Sequence, residues 1–186
     1  MRINFKCIHA VCALTKANGG RLPLHRLAPL LYLADKKSLI SYGRTISRSR
    51  NIATLYGPTS ENLFDIMNGT GDKDETLESK SLLTVTDGCL FKITSSAKKY
   101  ELGWLSATDE EIINFVHERF IDYPAYDLTA YTCAYPEYSS RIKNSSVHPI
   151  IYNRDMLTLQ KNDKLEITAE GLQAMKDCMR ETLSCY

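Results

Sequence analysis

Three groups of residues in this sequence have the types and spacing to do chemistry. The first is Cys7, His9 and Cys12 in "CIHAVC", two thiols and an imidazole that suit zinc by ligand type. On a helix, however, His9 stands about 200° and Cys12 about 140° around the axis from Cys7. Three ligands cannot converge from such directions, and no fourth is close in sequence. Two small buried thiols on an amphipathic helix are expected instead, with no metal. The second group centres on Asp35 in "LLYLADKKSLISYGR". At about 100° per residue, Leu24, Leu27, Leu30, Leu31, Ala34 and Ser38 share one arc, and Asp35 falls at its edge between Leu31 and Leu39. A carboxylate beside an apolar seam needs partners, because leaving it unpaired costs several kcal/mol. The third group is Arg44, Arg48 and Arg50 in "RTISRSR", three guanidiniums in seven residues that could contact phosphates.

Nothing further assembles into a catalytic constellation. The four histidines, His9, His25, His117 and His148, are far apart in sequence. Gly19-Gly20 lacks the Gly-Lys-Ser/Thr ending of a phosphate-binding loop, and there is no Gly-x-Ser-x-Gly and no His-Glu-x-x-His. No cofactor and no enzymatic activity are expected. The net charge of +1 over 186 residues gives no global attraction to nucleic acid. The six cysteines are scattered without a Cys-x-x-Cys pair. No apolar run approaches the ~18 residues of a membrane span, and no secretory leader is visible. A cytoplasmic protein with reduced thiols and no membrane partner is expected.

The elements that must position these groups follow from periodicity. Phe5, Ile8, Val11, Cys12 and Leu14 make a helical stripe over residues 3–16, ended by Asn18-Gly19-Gly20. Pro23 can open a second helix that runs to about Tyr42, with Gly43 as its stop. Ile46, Ile52 and Leu55 suit short extended pieces, and Pro58 disfavours helix at Gly57. Thr59 or Ser60 can cap a third helix carrying Leu63, Phe64, Ile66 and Met67, with Gly69 beyond it. "NGTGDKDETLESK" is polar and Gly-containing and predicts a mobile surface loop. Asp87-Gly88 between two β-prone runs predicts a hairpin. In "SATDEEIINFVHERF", Thr108 and Glu111 form a capping box for a further helix. Another helix spans about 124–133, closed by Pro136. Tyr135 and Tyr138 then flank that proline on an exposed loop. The C-terminal stretch, about 145–186, predicts a second hairpin-like pair and a final helix capped by Thr168. The sum is one mostly helical α+β domain over residues 1–186 with one or two small hairpins.

"LYLADKKSLISYGRTI" followed by "ATLYGPTSENLFDIM" resembles the Panacea-domain family, which includes the SocA-like antitoxins. The matching residues are Leu31, Tyr32, Ala34, Asp35, Tyr42, Gly43, Arg44, Tyr56, Gly57 and Pro58. "LSATDEEIINFVHERFIDYPAYDLTAYT" is similar to a later region of the family, so the resemblance covers about residues 5–140. The chain departs from the pattern at Thr54, at Thr59-Ser60-Glu61 and at Cys133. The resemblance implies a phage- or mobile-element-associated antitoxin that neutralises a cognate toxin protein by binding it, in some members as an adaptor toward a protease. Tyr32, Asp35, Tyr42, Gly43, Arg44, Tyr56, Gly57 and Pro58 are expected to define the fold. Asp35 would pin the second helix to the "LYGP" turn, through Tyr42, Tyr56, Arg44 or backbone N–H groups near Gly57. Tyr32, Arg44, Tyr135 and Tyr138 are the expected partner contacts, Tyr being favoured at interfaces for its rigid area and polar tip. The alternative function is a winged-helix DNA-binding regulator, with "DKLEITAEGLQAM" as wing strand and following helix and Arg44, Arg48 and Arg50 on phosphates.

Overall fold

The computed structural model describes residues 5–97, 103–142 and 148–184. Among them are eight helices and six short strands, an α+β, mostly helical architecture. In chain order these are α1 (Phe5–Ala17), β1 (Arg21–Pro23), α2 (Leu24–Tyr42), β2 (Asn51–Thr54), β3 (Gly57–Ser60), α3 (Glu61–Asn68), α4 (Lys73–Leu82), β4 (Leu83–Thr86), β5 (Leu90–Ile93), α5 (Ala107–Phe120), α6 (Ala125–Cys133), α7 (Pro136–Ile142), β6 (Ile150–Ile151) and α8 (Ala169–Ser184). The strands form two three-stranded antiparallel sheets, ordered β1-β5-β4 and β3-β2-β6.

α2 is the hub. It packs against α1, α5, α6, α8 and the β2–β3 hairpin, which is why its buried residues go well beyond one stripe. A helix covered on several sides reads as apolar around much of its circumference. Its start and stop are as the sequence predicts. Pro23 is the N-cap, and Gly43 closes the helix in the left-handed region at φ 72, its N–H donating to the carbonyl of Leu39. Pro29 lies inside the helix and has no N–H for the carbonyl of His25. On α1, Cys7 and Cys12 are buried core thiols, as expected. The first residues of the predicted stripe, 3 and 4, lie outside the described residues.

The β2–β3 hairpin pairs Thr54 with Gly57 and Asn51 with Ser60, leaving Leu55-Tyr56 as a two-residue tip. Every residue of both strands is buried. Thr54 fastens the turn. Its hydroxyl donates to the Gly57 carbonyl at 2.8 Å and accepts the Tyr56 N–H at 3.2 Å. The Asp87-Gly88 hairpin forms as predicted between β4 and β5, and β1 joins it.

Four expectations need correction. The stretch expected to be a mobile loop contains α4, because Asp72 and Glu75 close a capping box that nucleates it. The capping box of α5 is Ser106–Asp109, two residues before Thr108–Glu111. "SATDEE" holds both overlapping patterns, and tertiary partners of Asp109 decide between them. Pro136 does not close a helix onto a loop. It occupies the first position of α7, where its missing N–H costs nothing. Among the described residues the C-terminal hairpin-like pair is absent. Residues 152–168 form turns and irregular chain, and Ile150–Ile151 pairs instead with β2. The final helix follows Thr168 as expected, with Thr168 Oγ1 accepting the Gly171 N–H at 3.0 Å.

Candidate functional site

Asp35 is fully buried. It accepts the Ser47 backbone N–H at 2.7 Å and the Ser47 hydroxyl at 2.5 Å. Burial is the largest influence on its carboxyl and pushes the pKa up to about 6, against the pull of the hydrogen bonds from Ser47, Ile46 and Asn51. The expectation that Asp35 pins α2 to the "LYGP" turn is thus corrected. It pins α2 to the 46–51 segment, which leads into β2. Ser47 relays the tie, since its hydroxyl also accepts the Ser49 N–H at 3.1 Å.

One turn around the same helix, Tyr32 and Lys36 meet Glu137 of α7. Glu137 Oε1 accepts from the Tyr32 hydroxyl and from Lys36 Nζ, both at 2.5 Å, while its Oε2 accepts from Thr158 at 2.5 Å. Lys36 also donates to the Met156 carbonyl at 2.6 Å and stands 4.2 Å over the Tyr135 ring. Both charged side chains of this ion pair are fully buried. Burial lowers the Lys36 pKa, and Glu137 acts against that shift. Burial and then Glu137 raise that of the Tyr32 hydroxyl. A lysine beside a carboxylate and a phenol resembles acid–base machinery, but all three side chains are buried. Its geometry joins α2 to α7 and to the 156–158 segment.

Arg44, just past Gly43, reaches α5. Its guanidinium donates to Asp109 Oδ1 at 2.6 Å and to the hydroxyls of Ser106 and Thr108 at 3.2 and 3.3 Å. Lys6 of α1 takes the other oxygen of Asp109 at 2.6 Å. The Asp109 carboxyl is held well below the usual carboxylate range. Burial opposes this, and the hydrogen bonds from Lys6, Ser106 and Arg44 outweigh it. The Gly-Arg of one sequence stretch and the Leu-Ser-x-x-Asp of the other are therefore two halves of one junction among α1, α2 and α5.

The expected partner contacts fare unequally. Tyr32 and Tyr135 are buried and pack edge to face at 6.1 Å. Tyr135 also meets Tyr131 at 5.9 Å, and Tyr131 meets Phe120 at 5.1 Å, so these rings form one internal aromatic ladder. Tyr138 is buried and donates to the Thr54 carbonyl at 2.8 Å, fastening α7 to β2. The exposed loop expected around Tyr135 and Tyr138 is thus corrected: they hold the core. Arg44 stays partly exposed, at 32% of its side chain.

Exposed apolar surface lies elsewhere. Leu55 and Tyr56, the hairpin tip, are 80% and 82% exposed. They border an apolar groove of about 340 Å³ lined also by Ala28, Pro29, Phe64 and His148. Gly57 at φ 109 lets the chain turn there, and a Cβ would stand 3.5 Å from Cys133 Sγ. Pro58 follows on β3. Tyr42 is half exposed at the end of α2. The tip was not foreseen from sequence, where Leu55 reads as a strand residue. Lys36, Ser47, Asp109 and Glu137 were missed as well. Lys36 carried a signal, since it lies one turn after Tyr32 on the same face. Ser47 and Glu137 carried none, being brought in by long-range packing.

The family model described as antitoxin SocA-like, Panacea domain, matches residues 27–138. The match covers more than half of the chain, which belongs to this family. No curated protein and no solved structure matches. Among the described residues, no helix is long and apolar enough to cross a membrane.

Proposed function

From membership in that antitoxin family, we propose that this chain acts in the cytoplasm by binding a cognate toxin protein and neutralising it through direct contact, without a catalytic step of its own. All 186 residues serve as one unit in this reading. The observation that carries it is the contrast within the "ATLYGP" hairpin. Both strands are buried, yet the two tip residues between them, Leu55 and Tyr56, are almost wholly in solvent beside an apolar groove. Buried strands hold this tip rigid, and a rigid aromatic anchor loses little entropy on binding. The proposed toxin contact therefore comprises Leu55, Tyr56 and the groove floor at Ala28, Pro29 and Phe64. It replaces the surface expected at Tyr32, Tyr135 and Tyr138.

The test is a growth assay. The adjacent open reading frame is expressed alone and then together with this chain. Growth arrest by the neighbour, relieved by this chain, supports the reading. A Leu55→Ser/Tyr56→Ser variant should keep its fold, because neither side chain is buried, and should lose rescue. A harmless neighbour, or full rescue by the variant, overturns the antitoxin reading or the proposed surface respectively. Delivery of the bound toxin to a protease extends the same reading and is tested by toxin half-life with and without this chain. The DNA-binding alternative loses its wing, since residues 159–168 form no strand.

A further inference from the structure

A second groove lies at the opposite end of α2, about 20 Å from the first at 1.5 Å per helical residue. It has two halves that share Gly43 and Tyr152. One half, about 720 Å³, is lined by Arg44, Arg48 and Arg50 together with Ile150 and Ile151. The other, about 690 Å³, is lined by Tyr42, Arg154, Met175, Cys178 and Met179. Arg141 and Arg154 stand over the Tyr152 ring at 5.2 and 5.3 Å. Around the groove, four arginines share three carboxylates: Arg44 with Asp109, Arg50 with Glu61, and Arg141 and Arg154 with Asp155. Arg48 makes no ion pair among the described residues, and the residues lining the two halves include four arginines, Arg44, Arg48, Arg50 and Arg154, and no carboxylate.

We propose that this groove docks a partner segment in which acidic residues adjoin large aliphatic ones. The carboxylates would meet Arg48 and its neighbours, and the aliphatic side chains would enter the Tyr42–Met179 half. The flexible thioethers of Met175 and Met179 adapt to such side chains. Charge complementarity at the arginine half fixes the direction of the segment. Arg48 also borders a cleft holding Asp72, Asp74 and Glu75. Those carboxylates repel an acidic chain from that side and leave the Arg44 side as its path. Single-stranded nucleic acid fits the groove less well. Bases along a strand need successive aromatic faces to stack on, and with two guanidiniums over the Tyr152 ring, Tyr42 is the one aromatic side chain left among those lining the groove. The proposal does not rest on the toxin-binding reading, since the two grooves share no lining residue.

The test is fluorescence anisotropy on the full chain with a labelled peptide alternating Asp or Glu with Leu. Controls are the same peptide with Lys for the acids, the same peptide with Ser for Leu, and an oligothymidine. The acidic-leucine peptide should bind most tightly. Arg48→Asn should weaken it about threefold to tenfold and flatten its salt dependence. Arg48 sits at φ 50, a conformation Asn tolerates well, so the change carries no folding cost. Tyr42→Ser, at an exposed position, should weaken it to a similar degree. The proposal is overturned if the acidic peptide does not bind, if neither variant lowers its affinity, or if oligothymidine binds more tightly.

Discussion

Replacing Asp35 by Asn isolates what the buried charge does. The folded-state pKa of Asp35 is about 6, against about 3.9 for an unfolded aspartate. A carboxyl whose pKa is raised by folding binds its proton more tightly in the folded state. Its contribution to stability is full below about pH 3.9 and is lost as pH rises through about 6. Integrated over that window, the wild type should lose about 2 kcal/mol between pH 4 and pH 7 from this group alone. Asn keeps the shape and an oxygen for the Ser47 N–H, and it carries no proton to titrate. The quantity to measure is the difference in unfolding free energy between wild type and Asp35→Asn, by urea titration at several pH values. Other titrating groups cancel in that difference. The wild type should fall relative to the variant by about 2 kcal/mol from pH 4 to pH 7. At pH 7 Asp35→Asn should be near neutral or stabilising. Asp35→Ala should cost about 2–4 kcal/mol, because Ser47 loses both acceptors in a dry site. A difference that stays flat with pH, or one in which the wild type gains as pH rises, would refute the claim that burial outweighs the Ser47 hydrogen bonds.

Glu137→Ala should cost about 3–5 kcal/mol in denaturant unfolding, since it leaves the Lys36 ammonium buried without its carboxylate; a cost under about 1 kcal/mol would mean that water reaches the site. Asp109→Asn has the opposite pH signature to Asp35→Asn. Folding depresses this carboxyl, so its stabilisation is present above about pH 4 and disappears as pH falls toward the depressed value. The variant should therefore be weaker than wild type at pH 7 and approach it in acid, read by the same urea titrations. Gly57→Ala should cost about 1–3 kcal/mol from its φ of 109 and, by shifting the tip, reduce growth rescue; unchanged melting would show that the hairpin relaxes freely.

Much of the frame was legible in the sequence because local signals and tertiary packing agree there. Pro23 and Gly43 bracket α2, Asp87-Gly88 makes its hairpin, and the Asp35 carboxylate is buried among leucines as its arc predicts. The errors arise where long-range contacts decide between local options. Asp109 recruits Lys6 and Arg44, and so selects Ser106 over Thr108 as the cap. Tyr135 and Tyr138 flank a proline, which reads as an exposed turn, but α7 folds their rings against α2 and β2. Residues around 164–167 alternate as a strand would, yet β2 takes Ile150–Ile151 as its neighbour. No periodicity reports that choice of partner. The partners of Asp35 were misplaced for a related reason. Ser47 is a small hydroxyl in an arginine-rich stretch, and only the closing of the 46–51 segment over α2 brings it to the carboxylate.

The motif residues divide by burial, and the division bears on function. Leu31, Tyr32, Ala34 and Asp35 have at most 1% exposure, so in this conformation they specify packing and touch nothing outside the chain. Arg44 is largely engaged by the α5 cap. Gly43 and Gly57 supply backbone conformations that side chains resist. Two motif side chains remain that the fold does not need for its core: Tyr42 at 50% and Tyr56 at 82% exposure. Each lines a different groove, Tyr56 the hairpin-tip groove and Tyr42 the arginine-methionine groove. Exposed aromatics on rigid supports suit binding more than stability. If the two tyrosines serve two partners, Tyr56→Ser should abolish toxin rescue and leave the acidic peptide bound, while Tyr42→Ser should do the reverse. If one variant abolishes both, the grooves act as one surface and the separation drawn from α2 fails.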